Sequence, residues 1–272
     1  MFRNVYLGLL TFVIISVQLI ATPFTLNPDE QKELDTFLVR WENFNAIIKR
    51  FDVDFNLFEY DPAIPGATPN SPHRISFGRF VYAADPKRLR FDVEGEWRDG
   101  KQIVRRRDEN PYIHAETIII RGRSIVRYDY NSEMVLQINA SPEMIEAKVA
   151  NFPLVLAFGG KADDLKQRFS MKVEHREGHV VLYARPLLAE NHWKFRELVM
   201  MLDGETLHPR GLKWHDRGTG YKVFALRRIR QGMMAGDQFT TPVIPPDWRR
   251  ETYDWEDGQP FCILIMIQSH NF

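Results

Sequence analysis

Apolar residues recur along this chain at two different spacings, and each change of spacing marks an element. Leu34, Phe37, Leu38, Trp41, Phe44 and Ile48 fall three and four apart, the spacing of one helical face. Asn27-Pro28-Asp29-Glu30 precedes them with a side-chain cap, a proline at the first helical position and a glutamate at the third, so a long amphipathic helix begins there. Lys32, Glu33, Arg40, Glu42 and Lys49 form its wet face.

From Phe51 the spacing drops to two. Phe51, Val53, Phe55 and Leu57 alternate with Asp52, Asp54 and Asn56, which predicts a strand with one wet face. The stretch 61–74 is proline-rich and predicts a loop. Strands follow over 74–83 and from Arg88, where Leu89, Phe91 and Val93 alternate with charged residues. Two more fill 116–130 around an Arg121-Gly122-Arg123 turn, and another spans 134–138. Ser141-Pro142 opens a helical patch. A second, almost wholly apolar helical turn runs from Pro153 to Phe158 and stops at Gly159-Gly160, a pair that could serve as a hinge. Strands resume over 169–175, 180–185, 195–202, 207–215 and 221–227, separated by the turns Glu177-Gly178, Asp203-Gly204 and 216–220. Beyond Thr240 the prolines and tryptophans predict an irregular tail wrapping an edge.

This order predicts a mainly β (α+β) fold. It is a strongly curved antiparallel half-barrel of about ten strands, with the long N-terminal helix and the short mid-chain helical insert covering its concave side. Helices and a curved sheet differ in shape, so a gap between them would be apolar and fit for an apolar guest. Phe37, Trp41 and Phe44 from the helix, with Phe152 and Leu156 from the insert, are expected to line it. From the strands come Phe91, Val93, Ile118, Ile120, Met171, Val199 and Met201. Periodicity does not separate ligand contact from core packing at these positions.

Composition narrows the function classes. The chain has 272 residues, with 36 Lys+Arg against 36 Asp+Glu, so there is no net field to hold a polyanion and nucleic acid is not an expected partner. Cys262 is the only cysteine, which excludes an internal disulfide and a thiolate-rich metal site. No nucleophile elbow, metalloprotease, P-loop or dinucleotide motif occurs, so we expect no catalytic residues, no cofactor and no metal. His175 and His179 are four apart across a turn, a spacing that suits a metal only on a helix. Arg3, the apolar run Val5 to Ile20 and the small Ala21 read as a signal peptide over 1–21, cleaved after Ala21. At about 16 residues, interrupted by Gly8, Thr11, Ser16 and Gln18, the run is short for a membrane span. A periplasmic or secreted protein that is not membrane-embedded after processing is therefore expected, with 22–248 as its domain and 249–272 as its tail.

Several segments also carry a resemblance. Asn27 to Arg50, Phe77-Gly78-Arg79-Phe80-Val81-Tyr82 before Asp85-Pro86-Lys87-Arg88-Leu89-Arg90-Phe91, Ile118 to Gly122 leading to Val126-Arg127-Tyr128-Asp129, and Leu202-Asp203-Gly204-Glu205-Thr206-Leu207-His208-Pro209 together resemble the family of the periplasmic lipoprotein carrier LolA. The likeness spans most of 28–248. Residues 160–166 and 195–204 are similar to a family of exported planctomycete proteins to which no activity attaches. The first resemblance implies a half-barrel that shields the acyl chain of a lipid or lipoprotein. It also implies an arginine before the proline of the strand-turn segment, latching the helical lid; here that residue is Asp85. The alternative function is a non-catalytic envelope interaction or sensor module, with the half-barrel as scaffold and an envelope protein partner on the tail between Trp248 and Trp255.

Overall fold

The computed structural model describes residues 22–64, 68, 71–107, 109–150, 152–158, 160–187, 195–216, 218–232 and 238–255. The expected signal peptide, Gly159 of the expected hinge, Cys262 and the apolar stretch 261–267 lie outside these residues.

The first element is helix α1, Pro28–Ala46. Its N-terminus is closed by a capping box, in which the Asn27 side chain accepts from the backbone of Asp29 and Glu30 while the Glu30 carboxylate accepts from the Asn27 backbone. Leu34, Phe37, Leu38 and Trp41 are its buried stripe.

Strands β1 (Arg50–Tyr60), β2 (Arg74–Ala84), β3 (Lys87–Arg98), β4 (Lys101–Val104), β5 (Glu116–Arg121), β6 (Ser124–Asp129) and β7 (Met134–Asn139) follow. Then come the helical insert, α2 (Pro142–Ala150), α3 (Pro153–Ala157) and α4 (Ala162–Arg168), and strands β8 (Phe169–Arg176), β9 (His179–Pro186), β10 (Phe195–Asp203), β11 (Pro209–Asp216), β12 (Tyr221–Gln231) and β13 (Arg249–Asp254). All the strands belong to one open, curved sheet of 13 strands in the order β13-β7-β6-β5-β3-β2-β1-β12-β11-β10-β9-β8, with β4 beside β3. Every pairing is antiparallel except β13 on β7, which is parallel. Chain order is kept on both sides of the β1–β12 seam, so most contacts are between hairpin neighbours.

The sheet has the expected half-barrel form with more strands than expected. Strand β13 stands where an irregular tail was read, because its residues are exposed on both sides and leave no alternating pattern. Strand β4, exposed along its length, left no pattern either. Helix α4 hides between two predicted elements and buries only Ala162 and Leu165.

One hydrophobic cluster takes residues from α1, all three insert helices and the helix-facing side of the strands. A smaller cluster on the outer side joins Ile119, Tyr128, Val135 and Trp248. At Gly78, where β2 and β3 shift register, a Cβ would lie 1.9 Å from the Asp92 carbonyl oxygen, so only glycine admits this approach.

Candidate functional site

Alternation along the strands decides what faces the helices. On β1, Phe51, Val53, Phe55 and Leu57 point inward; Val53 pairs with Phe80 on β2, and Phe80 with Phe91 on β3. The insert lies on this wall: the Phe158 ring stacks on Phe51 with centroids 3.6 Å apart, and Phe152 lies 5.4 Å from Phe80 and 5.8 Å from Phe91. Leu154 and Leu156 on α3 are fully buried. The polar ties of the insert run through side chains: Lys87 to Glu146 at 3.0 Å, Lys166 to Asp35 at 2.6 Å, and the Ala162 backbone N–H to Glu42 at 2.9 Å. Lys87 thus joins the strand-turn segment to α2, although the residue before the proline is Asp85.

The expected lining residues divide in two. Phe37, Trp41, Phe91, Val93, Ile118, Ile120, Leu156 and Met171 are buried in the large cluster, and Phe44 and Phe152 are half-buried against it. Val199 and Met201 are not there. Leu198, Met200 and Leu202 take the inward positions on β10, and Met201 is 39% exposed on the other face. The run 198–202 is apolar at every position, so alternation could not set its phase, and the expected inward pointing of Val199 and Met201 is corrected.

Two features of this inner face had no clear sequence signal. The Trp41 side chain is fully buried, and its indole Nε1 has no hydrogen-bond partner. Toward one end the inner face also changes from apolar to ionic. Glu59 receives Arg74 and, at 2.9 Å, Lys222; Arg127 donates to Glu116 at 2.9 Å and lies 3.5 Å from Asp129. The His114 backbone donates to Glu96 at 3.0 Å, and its ring stands 4.0 Å from Glu116. Burial would raise the Glu59 carboxyl, but Lys222 and Arg74 outweigh it and hold the group well below the usual range. Burial wins at Glu116, whose carboxyl is pushed up despite Arg127. Burial, assisted by Arg74, also pulls the His114 imidazole down to about 4, so it is neutral at pH 7. Glu59, Glu116, Arg127 and Asp129 occupy the inward phase of strands β1, β5 and β6, a charged run whose inward direction only the fold sets.

His175 and His179 sit across the β8–β9 hairpin, and His175 meets Glu33 of α1 at 3.2 Å. Trp248 is buried against the sheet and Trp255 packs on the large cluster, so the two tail tryptophans are built into the fold. No helix among the described residues is long and apolar enough to cross a membrane.

No family model matches the chain, and no curated protein does. Among solved structures it is similar to an uncharacterized conserved protein from Thermus thermophilus, at 9% identity and a TM-score of 0.44 over 80% of this chain and 99% of that one. It is also similar to the lipoprotein LppX of Mycobacterium tuberculosis, at 9% identity and a TM-score of 0.38 over 75% of this chain and 99% of that one. A LolA superfamily protein from Nitrosomonas europaea matches at 8% identity and a TM-score of 0.34, over 76% of this chain and 97% of that one. The likeness to exported planctomycete proteins stays an expectation from sequence. Structures of the LolA superfamily and of LppX are thus among the fold likenesses of this open, helix-covered sheet.

Proposed function

We propose that this chain is an exported binding protein that takes an acyl chain of a lipid or lipoprotein between its curved sheet and the α2 to α4 insert. The 1–21 leader would send it to the periplasm or outside the cell. The observation that carries the reading is the nature of the roof: helices of 9, 5 and 7 residues lie on an apolar sheet face through side-chain packing. Such contacts are non-directional, so an acyl chain can replace Phe152, Leu156 and Phe158 against the wall with little change in the apolar area hidden from water. Each buried methylene contributes about 0.8 kcal/mol, and about ten of them gain about 8 kcal/mol before ordering costs. The exposed Lys87–Glu146 pair resists by no more than about 1 kcal/mol. Trp41 adds a polar argument. A buried indole N–H without a partner costs about 1 to 3 kcal/mol, and an ester carbonyl at the head of an acyl chain would satisfy it.

The test is native mass spectrometry of protein purified from its own envelope, beside uptake of a fluorescent long-chain fatty acid by the stripped protein. The wild type should carry acyl lipid and take up the probe, whereas Leu156→Asp should do neither. Trp41→Phe keeps the packing and should bind an acyl ester more weakly while leaving affinity for a long-chain alkane, which has no acceptor, unchanged. A folded wild type that carries no lipid and takes up no probe ends the proposal.

A further inference from the structure

The opposite face of the sheet carries a cavity of about 400 Å³ over β2, β3 and β5, in the size range of small-molecule sites. Its lining is mostly polar, with Arg79, Arg90, Asp92, Glu94, Arg105 and Thr117 among its walls. Most of this charge is already committed. Arg79 grips Asp52 through two nitrogens, at 2.7 and 2.6 Å, and also reaches Gln238 at 2.8 Å. Both oxygens of Asp92 are used, one by Arg90 and one by the Thr117 hydroxyl, each at 2.7 Å. Arg90 also donates to the Thr240 carbonyl at 2.9 Å.

Two groups of opposite sign remain. The Glu94 carboxylate has no hydrogen bond or ion pair among the described residues, and neither has the Arg105 guanidinium, whose Nε is buried without a partner. They are cross-strand neighbours: the Arg105 backbone N–H donates to the Glu94 carbonyl at 3.2 Å, one step beyond the Gly95–Val104 pair. Neighbours so placed would ordinarily pair with each other. Here Arg105 leans away over the Tyr130 ring, 6.0 Å from its centroid, and Trp248 backs that ring edge-on at 5.4 Å. Glu94 is exposed toward the mouth of the cavity, whereas Arg105 is partly buried with its Nε unsatisfied, and burial pulls its guanidinium below the usual value.

The geometry points to a second binding site, on the outer face of the sheet, for a small zwitterion of the α-amino acid class, its carboxylate on Arg105 and its ammonium on Glu94. Such a ligand supplies both missing partners at once and leaves the net charge of the cavity unchanged. A simple anion would satisfy Arg105 but face Glu94, and a simple cation would do the reverse. Val104 and Ala115 give a small apolar wall for the side chain. This site does not depend on acyl binding, because it lies on the other side of the sheet.

Titration calorimetry and amide chemical shifts on the full mature chain test it with glycine, L-alanine and L-leucine. N-acetyl-L-leucine and L-leucinamide serve as singly charged controls. The expected result is binding of the free amino acids, with shifts at Thr117 and Tyr130 and at least tenfold weaker binding of both blocked forms. Glu94→Gln and Arg105→Gln should each weaken L-leucine at least tenfold with an unchanged circular dichroism spectrum. Absence of binding by all three amino acids, or equal binding of a blocked form, overturns the proposal.

Discussion

Among the histidines, His114 has the largest shift by burial. Its imidazole is held neutral by burial, with a folded value of about 4 against about 6.5 in the unfolded chain, so the unfolded state binds the extra proton between those limits. Its contribution is therefore intact above the unfolded value and is lost as pH falls from about 6.5 toward 4, amounting to about 3 kcal/mol once complete. Urea unfolding at pH 7 and pH 5 should show a larger loss in the wild type than in His114→Gln, which keeps the burial-depressed imidazoles of His73 and His215. The depressed Glu59 carboxyl acts in a lower window: its stabilisation is present above the usual carboxylate value and disappears as pH falls beneath it. Gly78 is the other sensitive position. A methyl group there meets the Asp92 carbonyl and the Phe55 ring, so Gly78→Ala should cost about 3 kcal/mol, read as a lower urea midpoint with unchanged slope. The glycine was visible in the sequence, but the register shift that requires it was not.

At the scale of elements, agreement follows the strength of the local pattern. Helix α1 was legible because capping box, proline and apolar stripe all agree, and Asn27→Ala should cost about 1 kcal/mol, measured by thermal or urea unfolding. Strands β1, β3, β8, β9, β11 and β12 were legible because one of their faces is drier than the other. The elements that escaped, β4 and β13, are exposed edges whose residues satisfy no period. The phase error at Val199 and Met201 has the opposite cause, since a run apolar at every position fits either face. In the insert the sequence identified the apolar helical turns, but Phe158 stacking on Phe51 comes from the folded chain alone.

The whole molecule is an open sheet, and an open sheet must protect its edges. Strand β13 covers the backbone of β7 in parallel register, from Arg249 on Met134 to Asp254 on Asn139, and Trp248 pins its start against Ile119, Tyr128 and Val135. A stop codon after Trp248 should bare that edge and give concentration-dependent association, which sedimentation or size-exclusion chromatography would read. A monodisperse monomer at every concentration would contradict this protective role. The sequence by itself determined the sizes and kinds of most elements, the curved antiparallel sheet with helices on one side, and most of the residues on its covered face. These follow from short-range periodicity, capping and turn chemistry, which each segment carries with it. Only the tertiary structure decided the ionic end of the inner face, the orphan indole of Trp41, and the outer cavity where Glu94 and Arg105 stand side by side without pairing. Each of those depends on which strands become neighbours and in what register, and that is set by packing between segments far apart in the chain.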